Sequence, residues 1–231
     1  MPWKKTLLFI LALTVAGAAG VQAASSQQNR GDSLVFVGIS PFGLHIPTLA
    51  TFPVTAGVYL GENIQIGGEY GTAEASYEEN DEEAEATYTN AGGYVRWYPG
   101  TNSFNVMLAM HNRTFTADAT ATVTDQSTGQ DAVVNADMTA SATVGTLGLG
   151  NQWMFDYGLF LGFDWVVLSG LVSGSVSSDV DATGTLPNGT VVTLENDETR
   201  EAEQDLEDLG NFLNQVSATP GLFVFTIGWA F

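Results

Sequence analysis

Gly221-Leu-Phe-Val-Phe-Thr-Ile-Gly-Trp-Ala-Phe231 closes the chain, and its odd positions, Phe223, Phe225, Ile227, Trp229 and Phe231, are all large and apolar. Between them stand Leu222, Val224, Thr226, Gly228 and Ala230, most of them small. A period of two is the mark of a strand whose faces meet different surroundings. The contrast recurs upstream. Leu159, Leu161, Phe163, Trp165 and Val167 alternate with Gly158, Phe160, Gly162, Asp164 and Val166, and Phe104, Val106, Leu108 and Met110 with Asn105, Met107, Ala109 and His111. In a soluble sandwich the face opposite the apolar one carries abundant Lys, Glu, Thr and Arg. Here it carries Gly, Ala and Thr with single charges, as the cramped interior of a narrow closed barrel requires. Large apolar side chains then face outward, which is the transmembrane β-barrel pattern.

Working outward from these segments, alternation marks strands over 33–46, 52–60, 63–78, 84–98, 103–124, 132–155, 158–182 and 220–231. The even number is what a barrel with both termini in the periplasm needs. The second, fourth and sixth connections, around Gly61-Glu62, Pro99-Gly100-Thr101-Asn102 and Asp156-Tyr157, are tight and rich in turn residues. The others are longer or more polar, so short periplasmic turns alternate with external loops. Several strands exceed the ~9–11 residues that cross a bilayer, so the sheet is expected to extend beyond the outer leaflet. The expected fold is all-β: an eight-stranded antiparallel up-and-down transmembrane barrel with a short helix in the last external loop.

The first residues read differently. Lys4 and Lys5 precede an uncharged apolar run from Leu7 to Val21, too short for a membrane helix, and Val21-Gln22-Ala23 forms a small-residue cleavage site. Residues 1–23 are therefore expected to be a signal peptide cut after Ala23, with Ala24 the next choice, leaving 24–231 as one barrel domain. The expected destination is the outer membrane of a Gram-negative cell, reached by Sec-type export.

Composition narrows the function. Against 26 Asp and Glu the whole chain has six Lys and Arg, and the processed chain would keep only Arg30, Arg96, Arg113 and Arg200. Such a surface repels nucleic acid. The absence of Cys excludes disulfides, thiolate catalysis, lipobox acylation and Cys-ligated metal. Gly supplies 26 of the 231 residues, above the usual ~7%, so backbones or large side chains must approach closely somewhere.

On the signal peptide, the eight alternating segments and the aromatic terminal strand, the chain resembles the small eight-stranded outer-membrane barrels typified by the OmpA membrane domain, OmpX and OmpW. The resemblance implies that Phe223, Phe225, Ile227, Trp229 and Phe231 form the signal read by the barrel-assembly machinery. It also implies outer-membrane lipids and lipopolysaccharide as partners, and a monomer. No peptidoglycan-binding domain is expected after the barrel segment, so a wall-anchoring role is not expected to carry over. The family includes pores, adhesins, structural proteins and a few lipid enzymes.

The alternation places Glu69, Arg96, His111, Arg113 and Asp164 on the inward face. Charges in a low-dielectric tube should pair, since an isolated one costs several kcal/mol. Counted from the turns, Glu69, Arg96 and Asp164 share a depth with Arg113 higher; interlocked, they plug the lumen, and otherwise they form a gate or selectivity filter.

Outside, Tyr77-Glu-Glu-Asn-Asp-Glu-Glu-Ala-Glu85 is expected as an acidic loop, and 195–208 adds further carboxylates. A solvated, mutually repelling face or salt adaptation is the simpler reading. The alternative is Ca²⁺ or Mg²⁺ bridging carboxylates to one another or to lipopolysaccharide phosphates, with Glu78, Glu79, Asp81, Asp179 and Asp181 as candidate ligands, none at EF-hand spacing. No other cofactor and no resident metal are expected. Over 197–216, Leu206, Leu209, Leu213 and Val216 recur at helical spacing with Phe212 beside them, and acidic residues crowd the N-terminal half. This helix is expected to pack on the extended sheet, with a cap, a rim contact or a lid as alternatives.

Catalysis has little to work with. His45 and His111 are the only imidazoles; His111 stands beside Arg113 with no Ser nucleophile near, and no Asp-x-His accompanies Asp179 and Asp181. Gly145-Thr-Leu-Gly-Leu-Gly150 lies inside a strand and is no phosphate loop. The expected role is that of a non-catalytic barrel with acidic external loops, structural or interacting at the surface. The alternative is a narrow OmpW-like conduit for small apolar or cationic solutes.

Overall fold

The structure, a computed structural model, describes residues 26–44, 51–79, 82–100, 103–125, 130–185, 191–193 and 197–231. The expected signal peptide, His45 and Asp81 lie outside them. A short helix, α1, occupies 26–32. The strands follow: β1 Val35–Leu44, β2 Val54–Leu60, β3 Ile64–Glu79, β4 Glu82–Trp97, β5 Phe104–Asp125, β6 Gln130–Met154 and β7 Leu159–Thr185. A three-residue β8, Val191–Thr193, pairs with the end of β7; helix α2 spans Asp197–Ser217; and β9, Gly221–Ala230, is last.

Every pairing is antiparallel, each strand from β1 to β7 lies beside its chain neighbour, and β9 bonds to both β1 and β7. The ladder therefore closes on itself with no free edge. The chain is an eight-stranded up-and-down barrel, with β8 an appendage. Among the described residues no helix is long and apolar enough to cross a membrane.

Two opposite hydropathy patterns share these strands. From the tight-turn end, the outward residues are apolar: Ile64 and Ile66 on β3, Val95 and Trp97 on β4, Leu108 and Met110 on β5, Leu147 on β6, and Trp165, Leu168 and Val172 on β7, all exposed. Leu108 and Val172 leave more than 60% of their surface bare. An apolar belt of this extent is what lipid contact requires and water penalises. Further along the same strands the phase reverses. The outward residues become Thr114, Thr116 and Asp118 on β5, Ser141, Thr139 and Asp137 on β6, and Ser173, Ser175 and Ser177 on β7. The inward ones become Ala117 and Ala119 on β5 and Ala142, Ala140 and Met138 on β6. The long half of the barrel beyond the belt is built as a water-facing sheet is, polar outside and small or apolar inside.

Strict alternation misplaces three side chains, for a local reason. The β6–β7 register shifts between Leu149 and Gly150, so Trp165 is an extra residue; Val167 turns inward and is buried, while Val166 lies on the other face. On β9 the register steps from Val224 to Leu222 against both neighbours, and Phe223 takes a left-handed φ of 58°. This bulge leaves Leu222 and Phe223 both exposed. The rest of the terminal pattern faces outward, with Ile227, Trp229 and Phe231 exposed.

The acidic run at 77–85 differs from the loop expected of it. β3 reaches Glu79 and β4 begins at Glu82, with Glu78 opposite Glu83 and Glu79 opposite Glu82. Most of the run is thus hairpin ladder, continuing the strands on either side, in which Ala75, Ala84 and Ala86 hold inward positions.

Candidate functional site

The lumen is filled, and glycines in its wall make the filling possible. At the tight-turn end Phe36, Tyr59, Tyr94, Met107, Met154 and Phe160 form a buried cluster inside the barrel. Ring centroids of Phe36 lie 5.3 Å from Tyr59 and 6.0 Å from Phe160, in the range where aromatic pairs attract. A Cβ at Gly38 or Gly228 would strike the Phe160 ring, and one at Gly57 or Gly67 the Phe36 ring. The interior is therefore partly aromatic, not wholly polar.

Polar layers cross the tube above and below these rings. Arg96 donates from Nη1 to Asp164 Oδ1 at 2.7 Å and to Asn105 Oδ1 at 2.8 Å, and from Nη2 to Asp164 Oδ2 at 3.0 Å. The pair is two-pronged, with both side chains under 10% exposed. Asp164 can lie along the wall because its neighbour in the ladder is Gly150, where a Cβ would collide with the carboxylate. Towards the turns, the Tyr98 hydroxyl bonds Gln65 Oε1 at 2.7 Å and Gln152 Oε1, joining β3, β6 and the end of β4.

Below Tyr98 sits α1, which the sequence did not announce. Arg30 is fully buried and its guanidinium lies 3.9 Å over the Tyr98 ring. Its Nε donates to the Glu62 carbonyl at 2.9 Å, and burial lowers its pKa from the usual arginine value. Ser26 exchanges hydrogen bonds with the backbone of Met154, Asn29 donates to the Met154 carbonyl and to Asp156, and Gln27 to Glu62. The tight-turn mouth is thus stoppered by the chain's own N-terminal helix. Seven polar residues, Ser26-Gln-Gln-Asn-Arg-Gly-Asp32, carry no periodicity to find; the one clue was an isolated Arg30 in a chain nearly devoid of cations.

A cavity of about 40 Å³ adjoins the Arg96–Asp164 layer, its lining running from Gln65 and Gln152 past Arg96 and Asp164 to Glu69 and His111. Glu69 accepts from Asn90 Nδ2 at 2.9 Å, and Asn90 Oδ1 accepts from Arg113 Nε at 3.3 Å. His111 Nε2 stands 3.7 Å from Glu69 Oε1. Of the five inward residues read from the sequence, the structure brings Arg96 to Asp164 and gathers Glu69, His111 and Arg113 in a second group, linked through Asn90.

Arg113 also donates from Nη1 to the carbonyl of Ser217, the last residue of α2. That helix has no basic residue in its final turn, so the barrel wall supplies the cation that a helix C-terminus favours. α2 lies along the inner side of β6 and β7 above the belt. A Cβ at Gly210 would sit 2.5 Å from Val176 Cγ1, Asn214 donates to the Ser175 carbonyl, and Ser178 donates to the Glu203 carbonyl. Met138, Ala140, Ala142 and Val180 are buried beneath it. The seated face includes Leu206, Gly210, Leu213, Asn214 and Ser217, whereas Leu209 and Phe212 remain exposed. The contact stripe is therefore rotated from the one the leucines suggest, because the small residues Gly210 and Ser217 permit the closest approach.

The external carboxylates are spread along the outer wall. In successive ladder pairs Glu85 faces Asp118, Asp118 faces Asp137 and Asp137 faces Asp179. Asp181 faces Asn135. The pKa of Asp137 is raised, chiefly by a hydrogen bond with Asp118. Among the described residues no group of three or more His, Asp or Glu converges as a metal centre.

With this geometry in hand the comparisons with known proteins add little. No family model matches the chain, and no curated protein does. Two crystal structures of Acinetobacter baumannii proteins, CarO and CarO2, align with it. The identities are 11% and 12%, the TM-scores 0.42 and 0.40. Each alignment covers 86% of this chain, and 97% and 99% of the other. The fold assignment rests on the closed ladder and the apolar belt.

Proposed function

We propose that this chain is a closed, non-catalytic outer-membrane barrel that acts as a structural or surface-interaction protein through its acidic wall beyond the membrane. The observation that carries the reading is the series of lumen-crossing layers at the tight-turn end: α1 with Arg30 over Tyr98, Tyr98 with Gln65 and Gln152, and Arg96 with Asp164 and Asn105. A conduit needs a continuous wet path, and each layer interrupts one. In this reading the tight turns lie in the periplasm, and the polar half of the barrel projects from the cell among lipopolysaccharide headgroups. Export of a processed chain and folding by the barrel-assembly machinery belong to the same proposal, as does a monomeric state. No catalytic step is assigned. His111 is bonded to no hydroxyl nucleophile, since neither ring nitrogen has a hydrogen-bond partner.

Reconstitution of the purified protein in planar bilayers tests this. The expected record is flat at potentials where open barrels of this size give discrete steps. Reproducible unitary conductance from the intact protein would overturn the closed-lumen reading in favour of a narrow channel.

A further inference from the structure

Glu69 and His111 occupy one level of the barrel on β3 and β5, each paired in the ladder with Gly92 of the strand between them. A Cβ at Gly92 would strike His111 Cδ2 and the β5 backbone. Its absence lets the imidazole lie across β4 towards Glu69. The resulting 3.7 Å between Nε2 and Oε1 is too long for a hydrogen bond. Among the described residues neither His111 nitrogen has a hydrogen-bond partner, although the side chain is only 7% exposed. A buried polar group left in this state is costly, so the arrangement calls for a third party in the cavity that both residues border.

The donor set says what that party is. Imidazole nitrogen and carboxylate oxygen bind first-row divalent ions at about 2.0–2.2 Å, so donors 3.7 Å apart can share one ion between them. Calcium takes oxygen ligands alone, whereas one of the two facing donors here is an imidazole nitrogen; nitrogen with oxygen suits zinc, nickel or copper. The nearby cations are engaged elsewhere: Arg96 with Asp164 and Asn105, Arg113 with Asn90 and the C-terminus of α2. Among the described residues, Glu69 accepts a hydrogen bond from the neutral Asn90 alone. We propose that His111 and Glu69 are the two protein ligands of a weak site for a divalent ion of the zinc, nickel or copper class inside the closed barrel. The cavity has room for roughly three waters at ~10–15 Å³ each, and these complete the shell. Arg113, two residues along on the same face, repels the ion and keeps its affinity low.

Copper(II) is the probe, because nitrogen ligation leaves hyperfine structure in its electron paramagnetic resonance spectrum and this chain has only two histidines. Untagged full-length processed protein, folded in detergent micelles, is titrated with Cu²⁺. One imidazole nitrogen is expected in the wild type and in His45→Ala, and none in His111→Ala. Glu69→Gln is expected to weaken binding by about tenfold or more, equivalent to 1.4 kcal/mol. Heat-dependent gel migration checks that each variant is folded; should His111→Ala not fold, Glu69→Gln and His111→Gln carry the test. A nitrogen signal that survives His111→Ala or His111→Gln, a wild-type spectrum with oxygen ligands only, or unchanged affinity in Glu69→Gln overturns the proposal. None of these outcomes bears on conductance, so the site and the closed-lumen reading stand or fall separately.

Discussion

Replacing Arg96 by Ala isolates the interaction on which the closure of the barrel depends. The substitution removes three hydrogen bonds of 2.7, 2.8 and 3.0 Å from a place where the two charged side chains are 9% and 5% exposed. Asp164 is left buried without its partner, which costs about 3–5 kcal/mol. Asn105 Oδ1 also loses its donor, adding about 1 kcal/mol. A total of about 4–6 kcal/mol is expected. With a urea slope of about 2 kcal/mol per molar, the unfolding midpoint in micelles falls by roughly 2–3 M. Tryptophan fluorescence and heat-dependent gel migration can both follow it. The companion variant Arg96→Met with Asp164→Leu removes both charges and should recover to within about 1 kcal/mol of wild type, because neither partner is then stranded. A loss below about 1 kcal/mol in Arg96→Ala, or a double variant as unstable as the single one, would refute the argument that a desolvated pair holds this layer.

Two further outcomes follow from the half of the barrel beyond the belt. Gly210→Leu drives a side chain into Val176 and Met138 and should unseat α2 at a cost of about 2–3 kcal/mol; trypsin is then expected to cut after Arg200 while the barrel keeps its folded migration, and an unchanged cleavage rate would count against α2 being held by this contact. Asp137 binds its proton more firmly in the folded chain than in the unfolded one, so stability is lost as pH rises through the raised value. Asp137→Asn should therefore melt higher than wild type at pH 7, with the gap closing below about pH 4, the ordinary carboxylate range; a gap independent of pH in thermal melts would show that the Asp118–Asp137 pairing is not its source.

Strand existence and order were legible because large apolar side chains on one face and a cramped, small-residue interior on the other impose a period of two. The reading of 103–124 became β5 at Phe104–Asp125, and that of 84–98 became β4 at Glu82–Trp97. The exceptions have physical causes that hydropathy does not encode. A bulge reverses phase in one residue, which is why Val166, Val167 and Leu222 changed faces. The acidic run at 77–85 looked like a loop because charge was weighed above the ladder that continues through it from the strands on either side. Helix α2 was visible from its leucines, yet its seat is set by Gly210, whose contribution is the absence of a side chain. At the candidate site, inward placement of Glu69, Arg96, His111, Arg113 and Asp164 could be counted off the strands, but who meets whom depends on which intervening residue is glycine. Gly150 and Gly92 decided that, and register, not composition, reveals them. The α1 stopper had no signal beyond Arg30, since a seven-residue polar helix held by turns distant in sequence has no pattern of its own.

The reversal of phase along each strand acts as a waterline. A barrel with one hydropathy pattern from end to end could ride higher or lower in its bilayer at little cost, but here two residues of sinking would drag Thr114, Ser141 and Ser173 into hydrocarbon. Two residues of rising would lift Leu108, Leu147 and Leu168 into brine. Draught is thereby written into all the long strands at once, so loops could be exchanged or shortened without the molecule losing its level.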